Sequence, residues 1–344
     1  MKLLVSALEP SGNLHLRSLI EHLDDVKIFG IFDIDLGTPI VPASEFGVMG
    51  IIDIIPKIAL ASKTKEQMLE LAREMDAVLL IDAPAFNLPL AEALRREYPD
   101  IKIYYYVLPK VWAWKKKRAL RVKKAVTKML SIFPFEDEFF DGAEFVGNPL
   151  LDQIKEFKNE TKKFNTVAYL AGSRKREVRM LMPYYHELNA KSSERGLLVI
   201  APHFSDEQIE ELYGDILDFE VIRSVKEALL RSDFAYVCSG TATLEASIIG
   251  TPFVLVYKTN ALEFAIGRYF VKLPYVGLAN IIFNFAGKKA MHPELLQDEL
   301  SVEAMINARK NIDIELFVKH SHELRYLLQH GSAQRVAQII NGLV

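Results

Sequence analysis

Short apolar, β-branched runs alternate with helical patterns along most of the chain, and this alternation constrains the fold more than any other feature. Runs such as KLLVSA, DAVLLID and IKIYYYV are separated by helical stretches that include residues 14–23 and 88–96. Strands that alternate with helices are typical of βαβ units, which build a parallel sheet covered by helices. The sequence therefore predicts an α/β protein.

A polar segment, KEFKNETKKFN, interrupts the alternation near residues 150–165, and the pattern then restarts with TVAYLAG, GLLVIAP and DFAYVCSG. The 344 residues are also too many for one ordinary core, since single cores usually stop growing beyond about 250 residues. We expect two doubly wound, Rossmann-like domains, residues 1–155 and 156–321, that face each other across a cleft. The tail, 322–344, has only helical patterning and could return to the first domain.

Composition excludes several classes of protein. A net charge of −3 argues against a general nucleic-acid binder, which would carry an excess of Lys and Arg. The single cysteine, Cys238, excludes an intramolecular disulfide and fits a reducing compartment. The first residues, MKLLVSALEPSG, favour a strand over a signal peptide, and no window approaches the roughly 18 apolar residues that a membrane span needs. Any membrane association would be peripheral.

Ligands of open α/β sheets bind at the carboxyl ends of strands, so the loops there are the candidate sites. In ALEPSGNLH, residues 7–15, Ser11, Gly12 and Asn13 provide a turn and a helix N-cap, where free backbone N–H groups favour an anion. The alternative is an ordinary capped turn. In the second loop, Asp82 directly follows an apolar run and is either a helix cap or a general base.

The second half offers two further loops. Gly172, Ser173 and Arg174 combine close backbone approach, a capping hydroxyl and a guanidinium that matches phosphate oxygens; the alternative is a capped helix with a solvated Arg. The loop CSGTATLEA is more specific. It places the small residues Ser239, Gly240 and Thr241 at a helix start, which suits a diphosphate.

Glu245 lies four residues after Thr241, on the same face of that helix and about one turn away. A ribose attached to the diphosphate would fall within its reach. The alternative is a solvated glutamate favoured by the helix dipole.

Residues 104–124, YYYVLPKVWAWKKKRALRVKK, contain eight basic residues and no acid. Nucleic acid, an anionic membrane and a phosphorylated substrate would each suit such a stretch. The eight histidines are scattered, so the sequence predicts no metal site.

Seven motifs together resemble one known family. IDAPAFNLPLA, YYVLPKVWAW, IFPFEDEFF, FVGNPL, GSRKREV, SGTATLEA and HPELLQ occur in this order, as in the lipid-A-disaccharide synthases, and the resemblance covers nearly the whole chain.

The resemblance implies an inverting glycosyltransferase of the GT-B fold at the cytoplasmic face of the inner membrane of Gram-negative bacteria. It would join UDP-2,3-diacylglucosamine to 2,3-diacylglucosamine 1-phosphate (lipid X). The products would be a β-1,6-linked disaccharide 1-phosphate and UDP, in lipid A and lipopolysaccharide biosynthesis. The UDP-sugar is a substrate, and no cofactor or metal is implied.

Carried over to this sequence, the resemblance makes Asp82 the general base and Arg174 the second catalytic residue. The loops and the resemblance together predict these substrate-binding residues: Glu9, Ser11, Gly12, Asn13, Gly172, Ser173, Ser239, Gly240, Thr241, Glu245, Asn280, Glu294 and Gln297. The chain departs from the family pattern at Leu8, Pro10, Asn13, Ala85 and Ala171. Since Ala85 replaces a second carboxylate, Asp82 is the only acid left in its loop.

The resemblance also assigns the apolar segment 48–61 to the membrane or to acyl chains, whereas a buried core helix is the alternative. The predicted membrane or acyl contacts are Ile51, Ile52, Ile54, Ile55, Ile58, Leu60, Trp112, Lys115, Lys116, Lys117 and Arg118. Lys and Arg are attracted to anionic lipid, and Trp favours the interface. We also expect at least one of Trp112 and Trp114 to pack inside.

Two other functions stay open at this point. One is another GT-B enzyme acting on UDP-N-acetylglucosamine, either a peptidoglycan glycosyltransferase or a UDP-sugar 2-epimerase. The other is a non-catalytic module that binds membrane or nucleic acid, which would explain the basic stretch but not Asp82. Pairing of two copies through their C-terminal segments is also undecided.

Overall fold

The computed structural model describes residues 1–46, 54–113, 116–160, 164–260 and 273–342. The chain divides into two compact units. Unit 1 comprises Met1–Asp152 and Leu328–Val344, and unit 2 comprises Gln153–Leu327.

Unit 1 has a seven-stranded sheet in the order β3-β2-β1-β4-β5-β6-β7, in which every pair is parallel. Its elements along the chain are β1 (Lys2–Ser6), α1 (Pro10–Ile20), β2 (Lys27–Phe32), β3 (Val41–Pro42), α2 (Ile54–Ala72), β4 (Ala77–Ile81), α3 (Pro84–Glu97), β5 (Lys102–Tyr106), α4 (Lys117–Ala125), β6 (Lys128–Ser131), β7 (Glu144–Phe145) and α5 (Pro149–Gln153).

Unit 2 has a six-stranded parallel sheet in the order β10-β9-β8-β11-β12-β13. Its elements are β8 (Thr166–Leu170), α6 (Lys175–Ala190), β9 (Arg195–Val199), α7 (Asp206–Tyr213), β10 (Phe219–Ile222), α8 (Val225–Arg231), β11 (Phe234–Cys238), α9 (Thr241–Ile249), β12 (Phe253–Tyr257), α10 (Leu278–Phe285), β13 (Glu294–Leu296), α11 (Val302–Lys310) and α12 (Ile314–Leu328). One further helix, α13 (Ser332–Ile340), belongs to unit 1.

The central strands are buried on both faces. Every residue of β4 (AVLLI), β8 (TVAYL) and β11 (FAYVC) is buried, because helices cover both sides of a parallel sheet. Such strands are near-continuous apolar runs, which is why they stand out in the sequence. The structure confirms the predicted α/β class with two doubly wound parallel sheets.

The end of the chain closes unit 1. Helix α13 packs against α1, and the Asp152 carboxylate accepts hydrogen bonds from the backbone N–H groups of Gly331 and Ser332, both at 2.7 Å. The Tyr106 and Ser332 hydroxyls are 2.8 Å apart. Because of these contacts the division falls at residues 152/153 and 327/328, whereas the sequence analysis placed it at 155/156 and 321/322.

The strand order reverses between β1 and β4 in unit 1, and between β8 and β11 in unit 2. Ligand sites in open α/β sheets lie at such reversals, outside the carboxyl ends of the two strands. In unit 1 the following loops carry Glu9 and Asp82, and in unit 2 they carry Arg174 and Ser239.

Candidate active site

Asp82 lies where β4 ends, on a strained turn. Its φ is +48° and that of Ala83 is +42°, in the left-handed region that residues other than glycine rarely adopt, at a cost of about 1–3 kcal/mol each. Residue Ala83, not Asp82, is the N-cap of α3. The helix-cap alternative for Asp82 is therefore wrong, and its carboxylate is left for other chemistry.

Two buried side chains hold this turn. The backbone carbonyl of Asp82 accepts hydrogen bonds from Asn87 Nδ2 and from the Tyr105 hydroxyl, both at 2.9 Å. Asn87 Nδ2 also donates to the Ile81 carbonyl at 3.1 Å, and its Oδ1 accepts from the Ser6 hydroxyl at 2.6 Å. Asn87 and Tyr105 thus position the Asp82 backbone. The sequence analysis missed this role. The feature that could have indicated it is Asn87 itself, a polar residue among the apolar residues of α3.

A cavity of about 290 Å³ surrounds the Asp82 side chain, and it contains two carboxylates and two cations. Its lining residues are Glu9, Asp82, Pro84, Pro109, Lys110, Val111 and Arg118. Burial raises the pKa of Asp82 to about 6, nearby Glu9 raises it as well, and Lys110 acts in the opposite direction. A carboxyl with a pKa close to neutral is suited to act as a general base.

A buried carboxylate anchors the loop on which Lys110 lies. Glu136 is 1% exposed, and it accepts hydrogen bonds from Trp112 Nε1 at 3.2 Å and from the backbone N–H groups of Ile132 and Phe133 at 3.2 and 3.3 Å. Burial raises the pKa of Glu136 to about 7. These bonds connect the loop after β5 to the loop after β6.

Trp112 is 6% exposed, and its ring packs edge-on against Phe133 and Phe135. The prediction that Trp112 contacts the membrane is therefore wrong, because its indole N–H and its ring both have partners inside unit 1. The expectation that at least one tryptophan packs inside is confirmed.

The first loop is built differently from the prediction. Helix α1 already begins at Pro10, a favoured first helical residue, with Glu9 at the N-cap and no side-chain cap. Ser11, Gly12 and Asn13 consequently lie inside the first turns, and the prediction that they form the cap is wrong. Ser11 is exposed and Gly12 is buried.

Asn13 is buried, and both ends of its amide bond to backbone. Nδ2 donates to the carbonyls of Ala7 and Glu9 at 2.9 and 3.1 Å, and Oδ1 accepts from the N–H of Asp33 at 2.8 Å. Asn13 therefore holds the loops after β1 and β2 together, which contradicts its predicted contact with substrate.

In unit 2, the turn after β8 exposes Ser173 and Arg174. Gly172 has a φ of +94°, a backbone conformation in which any other residue would be strained. Arg174 Nη1 donates to Glu177 Oε1 at 2.8 Å, yet 79% of the Arg174 side chain is exposed. Its guanidinium thus lies beside the first turn of α6 with most of its surface open to a ligand.

The helix start after β11 is open. Gly240 is the N-cap of α9 with a φ of +150°, no atom lies within 4 Å of a Cβ placed there, and Thr241 is exposed. Glu245 lies one turn further along α9, and burial raises the pKa of its carboxyl. The backbone N–H groups at this end are positioned to bind an anion.

Asn280 and Glu294 bond mainly to each other and to backbone. Asn280 is fully buried, and its Nδ2 donates to Glu294 Oε1 at 2.8 Å while its Oδ1 accepts from the Met291 N–H at 2.7 Å. The Glu294 carboxylate also accepts from the N–H groups of Val276 and Gly277 at 2.8 and 3.0 Å. The prediction of direct substrate contact is therefore wrong for Asn280, whose amide connects α10 to the segment before β13.

Gln297 differs from these two residues. Its Oε1 accepts from the Thr259 N–H at 3.1 Å, whereas its Nε2 is buried and has no partner among the described residues. Its φ of +53° adds backbone strain at the same position. Gln297 thus keeps a donor that a ligand could use.

A cavity in unit 2, of about 560 Å³, is lined by Lys158, Asn165, Asp233 and Arg309, among others. Asn165 precedes β8 and Asp233 precedes β11, so this cavity lies at the amino ends of the strands, away from the expected ligand edge.

Within the described ranges, no group of three or more His, Cys, Asp and Glu side chains could hold a metal ion. No helix in the described part of the chain has the length and apolar character to cross a membrane.

Comparison with known proteins decides the family. The model of the lipid-A-disaccharide synthetase family matches residues 3–339. The curated lipid-A-disaccharide synthase of Campylobacter jejuni strain RM1221 is 42% identical over 360 residues, which cover 98% of both chains. The chain belongs to the lipid-A-disaccharide synthetase family.

Two solved structures share the fold at low identity. The S. aureus MnaA–UDP co-structure superposes with a TM-score of 0.62 at 11% identity, over 100% of this chain and 97% of that one. Acinetobacter baumannii MurG gives a TM-score of 0.56 at 12% identity, over 99% of each chain. These similarities confirm the GT-B fold. Family membership confirms the predicted resemblance and makes this chain a glycosyltransferase.

The predicted membrane and acyl contacts of this family member fall into three groups. Ile51, Ile52 and Lys115 lie outside the described residues, and Ile54, Ile55 and Ile58 belong to α2 but their side chains are not described. Leu60 is partly exposed, and Lys116 and Lys117 are exposed. Arg118 is partly buried and lines the Asp82 cavity.

Proposed function

We propose that the chain transfers the sugar of UDP-2,3-diacylglucosamine to the 6-hydroxyl of 2,3-diacylglucosamine 1-phosphate. The products are the β-1,6-linked disaccharide 1-phosphate of lipid A biosynthesis and UDP. The observation that carries the proposal is the partly buried Asp82 carboxyl, with a pKa of about 6, in a cavity at the strand reversal of unit 1.

In the proposed step, ionised Asp82 accepts the proton of the acceptor's 6-hydroxyl as that oxygen attacks the anomeric carbon of the donor. The bond between this carbon and the diphosphate oxygen breaks, and UDP leaves from the opposite face. The configuration inverts, and the proton then passes from Asp82 to solvent. The Asn87 and Tyr105 hydrogen bonds fix the Asp82 backbone, so little reorganisation is needed.

The diphosphate leaving group requires fixed donors for its developing charge. The open N-terminus of α9 at Gly240 and Thr241 provides backbone N–H groups, and Arg174 provides a cation. Glu245 would accept a hydrogen bond from the ribose. We propose that these groups stabilise the leaving group without a metal ion, and that losing one of them costs about 10²- to 10³-fold in rate.

Both substrates carry acyl chains, so we propose that the enzyme works at a bilayer, peripherally on the cytoplasmic face of the inner membrane of Gram-negative bacteria. Exposed Lys116 and Lys117 at the start of α4 would contact anionic lipid. The segment 48–61 remains the proposed acyl-chain or membrane contact.

The first test is mass spectrometry of the products that the purified protein forms from UDP-2,3-diacylglucosamine and lipid X, with and without excess EDTA. We expect a tetraacyl disaccharide 1-phosphate in both samples. Asp82→Asn, which keeps the shape but removes the base, and Arg174→Ala should each lower kcat by at least about 100-fold.

Asp141→Asn is the matched control, since Asp141 is exposed and pairs with Lys123 outside the cavity. Its activity should equal that of the wild type. Activity of either site variant close to wild type would contradict the assigned role, and no disaccharide from folded wild-type protein would redirect the search to acceptors without acyl chains.

A further inference from the structure

The cavity around Asp82 contains two cations to which the proposed reaction gives no role. Lys110 and Arg118 line it together with the base. We propose that they form a subsite for the phosphate group of the acceptor, so that one cavity binds both the phosphate and the attacking hydroxyl. This inference rests on the proposed function and specifies how its acceptor is recognised.

The two cations come from different elements but line one cavity. Lys110 lies in the loop after β5, and Arg118 lies in the first turn of α4. A lysine provides a compact point charge, and an arginine provides a planar fork that can bind two phosphate oxygens. Together they carry two positive charges, which match the charge of a dianionic phosphate monoester.

The Lys110 loop has a fixed backbone although the Lys110 side chain is exposed. On one side Val107 has a φ of +62°, which a β-branched residue rarely adopts. On the other, Val111 and Trp112 are buried, and Trp112 bonds to Glu136. Strain of this kind persists where surrounding contacts enforce it and is common at ligand sites. The loop therefore presents Lys110 at a defined position at the edge of the cavity.

A phosphate bound in the cavity would also act on the base. Lys110 opposes the rise in the pKa of Asp82, so this cation lowers the proton affinity of the base. A phosphate bound to Lys110 and Arg118 would neutralise both and leave Asp82 beside an anion, which raises the affinity of a carboxylate for a proton. Binding of the acceptor would thus raise the pKa of the base, and Lys110 and Arg118 would limit that rise by screening the phosphate charge from Asp82.

The chemistry of the acceptor requires such an arrangement. A single hexose ring separates the 6-hydroxyl from the 1-phosphate, so a base for one and a subsite for the other must share a cavity. Other cations of the basic stretch have other surroundings, since Arg121 pairs bidentately with Glu92 at 2.6 and 2.7 Å and Lys117 is exposed.

The test compares lipid X with 2,3-diacylglucosamine that lacks the 1-phosphate, both in neutral detergent micelles. For wild type, Lys110→Gln and Arg118→Gln, one measures kcat/KM with each acceptor and the KM for the UDP-sugar. In each variant we expect the preference for the phosphorylated acceptor to fall roughly 10- to 100-fold, because each substitution removes one charge-assisted hydrogen bond to the phosphate. The KM for the UDP-sugar should not change.

Lys124→Gln removes an equal charge from the same basic stretch outside the cavity, since Lys124 is exposed and does not line it, and it should keep the wild-type preference. Arg118→Lys, which keeps the charge but loses the fork, should fall between wild type and Arg118→Gln. A graded loss of this kind reports on phosphate recognition and not on folding.

Three results would overturn the subsite while leaving the proposed function intact. The first is an acceptor preference that is unchanged in both Gln variants. The second is a KM that rises for the UDP-sugar and not for the acceptor. The third is a loss of activity that appears with anionic vesicles but not in neutral micelles. The second would assign the cations to the donor diphosphate and the third to the bilayer. No disaccharide from the wild type would contradict the proposed function itself, and the subsite with it.

Discussion

At the scale of single residues, the proposed role of Asp82 as a general base places two requirements on its pKa. Burial and the neighbouring Glu9 raise its pKa to about 6, which makes the carboxylate a stronger proton acceptor than one in water. A pKa of about 6 still leaves the carboxylate mostly ionised at neutral pH, as a base must be. A pKa just below the working pH is close to the best compromise between these requirements.

The pH dependence of the rate follows from this value. Because protonated Asp82 cannot accept a proton, kcat/KM should fall about tenfold per pH unit below about pH 6 and should be level above it. The acceptor without phosphate is the substrate to use, since a phosphate monoester itself titrates near pH 6.

In Lys110→Gln the midpoint of that profile should move to higher pH, because Lys110 stabilises the charged form of Asp82. A profile that is flat between pH 5 and pH 8 would contradict the assignment of Asp82 as the base.

The sequence located the residues that follow strands, but not the partners of buried polar groups. The positions of Asp82 and Arg174 just after strands are predictable because the alternation of apolar runs shows where strands end. The membrane assignment of Trp112 rests on the preference of tryptophan for the interface, and the substrate assignment of Asn280 rests on the family resemblance. Their partners, Glu136 and Glu294, are 24 and 14 residues away, and only the folded chain brings them together.

At the scale of elements, α4 shows that a basic stretch is not a uniform surface. Arg121 pairs with Glu92 and Lys123 with Asp141, Arg118 lines the Asp82 cavity, and Lys116 and Lys117 face solvent. The sequence predicts the positive charge of the helix but not which of its cations are paired. The pairing depends on acidic residues that come from α3 and from the segment before β7.

Lys116 and Lys117 make the proposed bilayer contact testable. The double variant Lys116→Gln/Lys117→Gln should bind anionic vesicles about 30-fold less tightly, since each cation near the surface contributes about 1 kcal/mol. Vesicle sedimentation at low and high salt measures this, and the difference should shrink at high salt.

Lys310→Gln/Lys319→Gln is the matched control, because both lysines are exposed and belong to unit 2. Equal losses in the two double variants would mean that net charge alone, and not the start of α4, determines membrane binding.

At the scale of the whole molecule, unit 1 depends on residues that come after unit 2 in the chain. Asp152 connects the two parts, since its carboxylate accepts from the N–H groups of Gly331 and Ser332. The apolar face of α13, with Val336, Ala337 and Ile340 buried, completes the core beside α1. The alternation of strands and helices predicts the two sheets. The tail has only helical patterning, which does not indicate the unit against which its helices pack.

Asp152→Ala should weaken the attachment of the tail. It leaves two backbone N–H groups without their acceptors, at a cost of about 1–3 kcal/mol each. Hydrogen exchange should therefore accelerate in residues 328–340 more than in unit 2. Asp141→Ala, which removes an exposed carboxylate from the same unit, serves as the control. Unchanged protection of residues 328–340 would show that α13 packing alone holds the tail.

The return of the chain at Leu328 has a consequence for biosynthesis. As the polypeptide leaves the ribosome, unit 1 is begun first and finished last, because its final helix emerges only after residues 153–327. At about 5–20 residues per second this interval lasts roughly 10–35 s. During that time unit 2 can fold, while the apolar surface that α13 will cover on α1 stays exposed and is a natural place for a chaperone to bind the nascent chain.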